Sequence, residues 1–341
     1  MKKLLTVLLA ILCLVSVSGC SKTEEPTPET DEGEKQIRIG VAHISMYDSW
    51  CKLIYDEFEK QAAEYGYVVD IQNAAGDEEL QANQIETFIT MGYDMIMVDP
   101  CSYDGICATL EKCTEAGIPV IAFDADTSYE GLVTHCAQNH EELGTICADY
   151  IADYAEANLD GKVSVGVIYA YDGEQTICRG VAFEKELEER LGKENITYVF
   201  QQDYSTNNSV EGGANIVETY IGQHMDFVWC ATDNGAIGAS QALENAGITD
   251  TMVLSSDGWG DQSFGYIYEG NHPYSMCIAC SPVEIVKSAL ACANAYFNGQ
   301  REFERHNWID LRIVDKTTAS EFAQYIDPEY LKTLTKGEDV Q

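Results

Sequence analysis

From Ile37 onward, short β-rich apolar runs alternate with longer segments of helical spacing, and the series runs twice. The first series predicts strands at Ile37–His43, Tyr67–Gln72, Asp94–Asp99 and Ile118–Asp124. Helices at Trp50–Tyr65 and Glu78–Met91, and one running to Gly117, separate them. The second series has strands at Val163–Ala170, Ile196–Gln201, Phe227–Asp233 and Met252–Asp257. Its helices lie at about Glu141–Asn158, Ile177–Leu191, Val210–Ile221 and Ile237–Ala246. Continuous apolar strands joined by amphipathic helices imply βαβ units, so each series is a parallel sheet with helices on both faces. Open sheets of this kind bind ligands beyond the carboxyl ends of their strands. Two such lobes facing one another would hold a ligand between them.

The first twenty residues, MKKLLTVLLAILCLVSVSGC, are read as an export signal and not as a fold element. Lys2 and Lys3 precede an apolar run from Leu4 to Val15, and small residues lead to Cys20. The segment resembles a bacterial lipobox, which implies a lipidated Cys20 and a protein tethered to the outer face of the cytoplasmic membrane, or exported to the periplasm. Residues 21–36, polar, acidic and interrupted by Pro26 and Pro28, read as a disordered spacer. The formal charge of −37 opposes nucleic acid and anionic ligands. Thirteen cysteines would suggest disulfides in an exported chain. Most, including Cys136, Cys147, Cys230, Cys277 and Cys292, instead sit in apolar runs and read as small buried hydrophobes. Cys277 and Cys280 lack the second pair that a zinc site would need.

The ends of the expected strands carry the chemistry. The first runs into Ser45-Met46-Tyr47-Asp48-Ser49-Trp50, the third ends in Asp99-Pro100, and the fourth in Asp124-Ala125-Asp126. In the second series, Arg179 lies early in a helix. Tyr204, Thr232-Asp233 and Asp257-Gly258 follow strands.

These pieces, with GYDMIMVDP, AGIPVIAFD, CATDNGAIGASQALENAG and VLSSDGW, resemble in order and spacing the type I solute-binding proteins of sugar ABC transporters, in the ribose- and galactose-binding group. The resemblance covers about Ile37 to Asp315. It implies an α/β fold of two Rossmann-like lobes joined by a three-crossing hinge, with crossings near Ala137–Glu141, Cys280–Pro282 and Asn298–Arg305. Residues 37–137 plus 281–301 would form the N-terminal lobe, and 138–280 plus 302–328 the C-terminal lobe. Carried over by position, Asp48, Asp99 and Asp124 would bind sugar hydroxyls, and Trp50 and Tyr204 would stack on the ring. Arg179 would hold the ring oxygen and neighbouring hydroxyls. Thr232 stands in place of the usual Asn, Asp233 keeps the acid that follows it, and Asp257 would be a further ligand. Cys280 stands where Gln or Asn is expected. Aromatic planes suit the C–H faces of a sugar, and charged groups suit its hydroxyl belt.

The implied function is a monomeric binding protein that delivers a monosaccharide such as galactose, glucose, ribose or xylose to membrane permease subunits, with no cofactor and no metal. A sensory subunit for a receptor or histidine kinase would share fold and site; neighbouring genes would separate the two. A glycosidase needs paired carboxylates, and carboxylates are too frequent here to specify one. His140-Glu141-Glu142-Leu143-Gly144 lacks the second histidine of a zinc-protease helix, and no G-x-S-x-G occurs. Glu156, Asn158, Asp160 and Gly161, with Ser164 and Asp226, approximate a calcium loop. Without D-x-D-x-D-G they read as a turn.

Overall fold

The computed structural model describes residues 36–46, 49–171, 174–204 and 209–334. The signal, Cys20, residues 21–35 of the spacer and Asp48 therefore lie outside the described residues. Two six-stranded sheets account for the strands. In chain order the first lobe contains β1 (Arg38–His43), α1 (Ser49–Glu64), β2 (Val68–Asn73), α2 (Glu78–Thr90), β3 (Met95–Val98), α3 (Cys107–Glu115), β4 (Val120–Phe123) and β5 (Thr134–Ala137). The second contains α4 (His140–Asn158), β6 (Val163–Tyr169), α5 (Glu174–Leu191), β7 (Ile196–Asp203), α6 (Val210–Tyr220), β8 (Phe227–Cys230), α7 (Asp233–Asn245), β9 (Met252–Gly258), α8 (Asp261–Glu269) and β10 (Tyr274–Ala279). The chain then returns to the first lobe for α9 (Pro282–Phe297) and β11 (His306–Trp308). It finishes in the second with β12 (Arg312–Asp315), α10 (Ala319–Phe322) and α11 (Pro328–Leu331).

The strand orders are β11-β5-β4-β3-β1-β2 and β12-β10-β9-β8-β6-β7. All pairings are parallel except β10 with β12. The two-lobed α/β expectation is met. In both sheets the order reverses beside the lobe's first strand, which opens a crevice at the carboxyl ends.

Alternation along β1 shows how the first core is built. Ile39 and Val41 pack with α1 and α9 residues such as Ile54, Phe58, Ile285 and Leu290. Ala42 points to the opposite layer of Ile85, Phe88 and Leu110 from α2 and α3. Gly40 shares that second face, and a Cβ there would lie 2.5 Å from the Phe88 ring, so the helix approaches this closely only over glycine. In the second lobe Gly166 occupies the matching strand, and its Cβ would lie 2.4 Å from Phe200.

The chain passes between the sheets at Gln138–Asn139 and at Cys280–Ser281. Both passages run into a helix start whose cap is legible in sequence. Asn139 accepts from the Glu142 N–H, and Ser281, followed by Pro282, accepts from the Glu284 N–H. The third passage differs from expectation. The resemblance places residues 302–308 in the second lobe, yet β11 pairs with β5, and the Ile309 N–H donates to the Ala137 carbonyl at 2.9 Å. Ile309 packs in the first lobe's core and Leu311 in the second's, so the crossing lies at Asp310, beyond Asn298–Arg305. No helix among the described residues is long and apolar enough to cross a membrane.

The eleven cysteines of the described residues are all free thiols. Cys136, Cys147, Cys230 and Cys277 are buried and Cys292 is half-buried. The turn at Leu159-Asp160-Gly161 has left-handed Asp160 and Gly161, with φ of 54° and 73°. Asp226 takes the Ser164 N–H at 2.7 Å and its hydroxyl at 2.6 Å, and Glu156 lies 3.7 Å from Arg190. Asp226 and Glu156, on either side of the turn, are therefore engaged in protein contacts.

Candidate functional site

Beyond the carboxyl ends of the strands lies a cavity of about 650 Å³. Pro100 to Tyr103 after β3 and Asp124 to Asp126 after β4 line it from the first lobe, together with His135, His306 and Trp308. Asn139, His140 and Glu141 at the first crossing, and Gln175 and Cys178 from α5, close the other side. Among the expected site residues that the structure describes, Asp124 is the one in this lining.

Asp124 has φ of +58°, the left-handed region that a side chain occupies only at a cost. Two contacts hold it there. Its N–H donates to the Cys136 carbonyl at 3.1 Å, and its own carbonyl lies 3.0 Å from His135 Nε2. The left-handed turn keeps Asp124 at the cavity at the end of a fully buried strand.

Asp99 is wholly buried, 3.0 Å from His43 Nδ1, and the His43 Nε2 is 3.0 Å from the Cys51 carbonyl. Burial alone draws the His43 pKa down. The Asp99 carboxylate more than offsets this, and the net shift is upward. Trp50 packs against the first lobe's core, and its indole N–H donates to the Cys280 carbonyl at 3.2 Å. It thereby links the start of α1 to the second crossing. Cys280 itself is buried, its thiol pKa pushed up by burial.

In the second lobe the expected residues do converge, but on one another. The Arg179 guanidinium pairs with Asp257, donates to the Ala231 carbonyl at 2.9 Å, and lies 3.4 Å from His140 Nδ1 through Nε. Asp257 also accepts the Asp233 N–H at 2.8 Å. Asp233 turns to the Ser263 hydroxyl at 3.0 Å, and burial with the neighbouring Asp257 charge pushes its pKa up to about 7. Tyr204, expected to stack on a ligand, is 3% exposed within the core, its hydroxyl bonded to Thr232.

His140 is not singled out by its sequence motif, which offers only half of a zinc-protease helix. Burial and the adjacent Arg179 hold its pKa well below the ordinary value, so the ring is neutral. With Nδ1 facing the arginine, Nε2 carries the proton, and this buried donor has no hydrogen-bond partner in the protein. Trp308 was missed as well. It is 43% exposed, lines the cavity, and stacks on His306 at 4.5 Å. Nothing in a three-residue polar strand announces a binding aromatic.

Two sheets reversing beside their first strands, three crossings and a cavity at the hinge form one recognisable arrangement, and residues 39–301 match the model of the periplasmic binding protein domain. The chain belongs to that family. The ribose import binding protein of Bacillus subtilis is 23% identical to this periplasmic binding protein over 305 residues, covering 88% of this chain and 95% of the relative. The D-xylose-binding periplasmic protein of Escherichia coli is 28% identical, covering 65% and 66%. Among solved structures, an arabinose-transporter binding protein from a Shewanella species, bound to L-arabinofuranose, superposes with a TM-score of 0.71 at 19% identity, covering 89% of this chain and all of that one. At that identity the likeness establishes the fold.

Proposed function

We propose that this periplasmic binding protein is a lipid-anchored, extracytoplasmic substrate-binding protein of an ABC transporter. In this reading it takes a monosaccharide or polyol into the cleft between its lobes and presents it to permease subunits. It acts by binding, with no catalytic step, and closes about its hinge on the ligand. The lipobox-like leader ending in Cys20 supports the anchor. Relatives named for ribose and xylose support the ligand class.

The observation that carries the ligand reading is the unmatched donor of His140 in a cavity that also presents the Asp124 and Asp126 carboxylates and the exposed Trp308 face. A sugar hydroxyl satisfies a buried N–H donor, other hydroxyls donate to carboxylates, and a C–H face lies against an indole. Arg179 and Asp257 act in this reading by fixing the His140 ring as well as by reaching ligand oxygens on closure.

Calorimetry against pentoses, hexoses and polyols tests it. At least one should bind saturably. Asp124→Ala and His140→Ala should each lose about 1.5–3 kcal/mol, roughly tenfold or more in affinity. An absence of binding across the panel, or unchanged affinity in both variants, sinks the sugar reading. Turnover of glycosides would replace it with an enzyme. Fatty-acid labelling that persists in Cys20→Ala would remove the anchor.

A further inference from the structure

Three side chains in the first-lobe wall of the cavity come together from distant points of the sequence. Asp126 follows β4, His135 lies on β5 and His306 on β11, three neighbouring strands of one sheet. One ligand atom from each lies within 4.8 Å of the others. His135 Nδ1 is 3.1 Å from His306 Nδ1 and 3.8 Å from Asp126 Oδ1, and His306 Nδ1 is 3.9 Å from Asp126 Oδ2. Metal–ligand bonds of about 2.0–2.1 Å in a tetrahedral site put neighbouring donor atoms about 3.3 Å apart. The two imidazole nitrogens sit near that spacing, and each faces one Asp126 oxygen, His135 to Oδ1 at 3.8 Å and His306 to Oδ2 at 3.9 Å.

Ring orientation supplies a second, independent observation. His135 Nε2 is 3.0 Å from the Asp124 carbonyl, which accepts and cannot donate. The proton is thereby placed on Nε2, and Nδ1 turns its lone pair toward His306 and Asp126. A backbone carbonyl on the far nitrogen is the arrangement that orients metal-bound histidines. His306 is held in turn by its parallel stacking on Trp308, at 4.5 Å and 5°. All three groups line the cavity, so further coordination positions would open onto it.

One neighbour opposes a cation. Arg305 donates to Asp126 Oδ1 at 2.8 Å, and the Thr127 N–H donates to the same oxygen at 2.7 Å. Oδ2 remains directed at His306. The Asp124 and Glu141 carboxylates, also in the cavity wall, offset the guanidinium, and the formal charge of −37 raises the local concentration of cations.

We propose that Asp126, His135 and His306 form a binding site for a divalent transition metal of the imidazole-preferring kind, such as Zn²⁺, with its open positions facing the cleft. The competing arrangement is a plain hydrogen bond from His306 Nδ1 to His135 Nδ1 with no affinity for metal. Two imidazoles and a carboxylate suit zinc, nickel or cobalt better than calcium or magnesium, which favour all-oxygen sites. The site rests on the geometry of one lobe and is independent of which sugar binds.

The test uses the full chain stripped with a chelator, titrated with Zn²⁺ in the absence of sugar, and with Co²⁺ as a spectroscopic probe. One equivalent should bind, and Co²⁺ should show the visible bands of imidazole coordination. His306→Ala and Asp126→Asn, each checked for a wild-type thermal melt, should weaken binding by more than the roughly 100-fold that loss of an outer partner costs. Arg305→Gln should tighten it. Cys101→Ser and Cys178→Ser, which alter thiols in the same cavity, should leave it unchanged. The proposal is overturned by an absence of stoichiometric binding, by unchanged affinity in folded His306→Ala and Asp126→Asn, or by loss of binding in the cysteine variants alone. Sugar calorimetry on the metal-free protein is read separately, so failure of either assignment leaves the other measurable.

Discussion

In the second lobe, Arg179, Asp257, Asp233, Tyr204 and Thr232 bond to each other and to nearby backbone above one continuous core. In the first, Asp124, Asp126, His135 and His306 line an open cavity, and the core is divided between the two faces of the sheet. The lobes share a strand order and a folding logic, yet these second-lobe groups satisfy one another while these first-lobe groups face the cavity. The difference teaches that residue types matched by position need not be equally available. A charged pair can serve a site by holding a neighbour such as His140 in one protonation state.

The largest effect that would break this contrast is on stability. Arg179→Ala leaves Asp257 without its guanidinium partner. Breaking a buried pair costs about 3–5 kcal/mol, whereas Asp126→Asn, at a half-exposed pair, should cost about 1 kcal/mol or less. Urea unfolding of both variants checks the ratio, and equal losses would erase the distinction between the lobes. Next come the matched glycines. Gly40→Ala and Gly166→Ala each force a methyl into a phenyl ring and should lose about 1–3 kcal/mol. A much smaller loss in one lobe would show that its Phe88 or Phe200 can yield.

Two buried imidazoles sharpen the comparison through pH. The His43 pKa is raised by Asp99 above its ordinary value, so its stabilisation is complete below about pH 6.5 and is lost as pH rises through the folded value. The His140 pKa is depressed by burial and by Arg179, so its contribution is present above about pH 6.5 and is lost as pH falls toward the folded value. Stability profiles of His43→Gln and His140→Gln should therefore flatten on opposite sides of neutrality. If both flatten on the same side, one of the two assignments of charge is wrong. The smallest effect concerns Asp124. Asp124→Gly relieves the left-handed backbone but loosens the unfolded chain, and stability should change by about 1 kcal/mol at most. Sugar affinity should still fall, which separates the side chain's role from its backbone's.

Most of the fold was readable because long apolar strands and capped helices are local signals. The eight expected strands all appear, with ends moved by a few residues. β5, β10, β11 and β12 escaped notice. His306-Asn307-Trp308 is three residues long and mixed in polarity, and it is a strand only because β5 supplies an edge for it. Missing it displaced the third crossing. The same gap hid Trp308 and His306 from the site. Arg179 and Asp257 were legible as a set because each follows a strong strand or opens a strong helix. The burial of Tyr204 was not, since an aromatic after a strand reads alike whether it faces a ligand or a core. The meeting of Asp126 with His135 and His306 depends on sheet order across most of the chain, which no spacing rule encodes.

The first lobe is interrupted in sequence by most of the second, and this bears on how the chain acquires its structure. Ile285, Val286, Ala289, Leu290 and Ala293 of α9 supply much of the core beneath β1 and β3, and β11 completes the edge of the sheet. None of these residues has been synthesised when β5 emerges. The second lobe, nearly continuous from Asn139 to Cys280, has most of its partners in hand much earlier. Contacts of high sequence separation form late because loop closure precedes them. A first lobe built this way stays short of its final core until α9 arrives, so its folding waits on nearly the whole length of the chain.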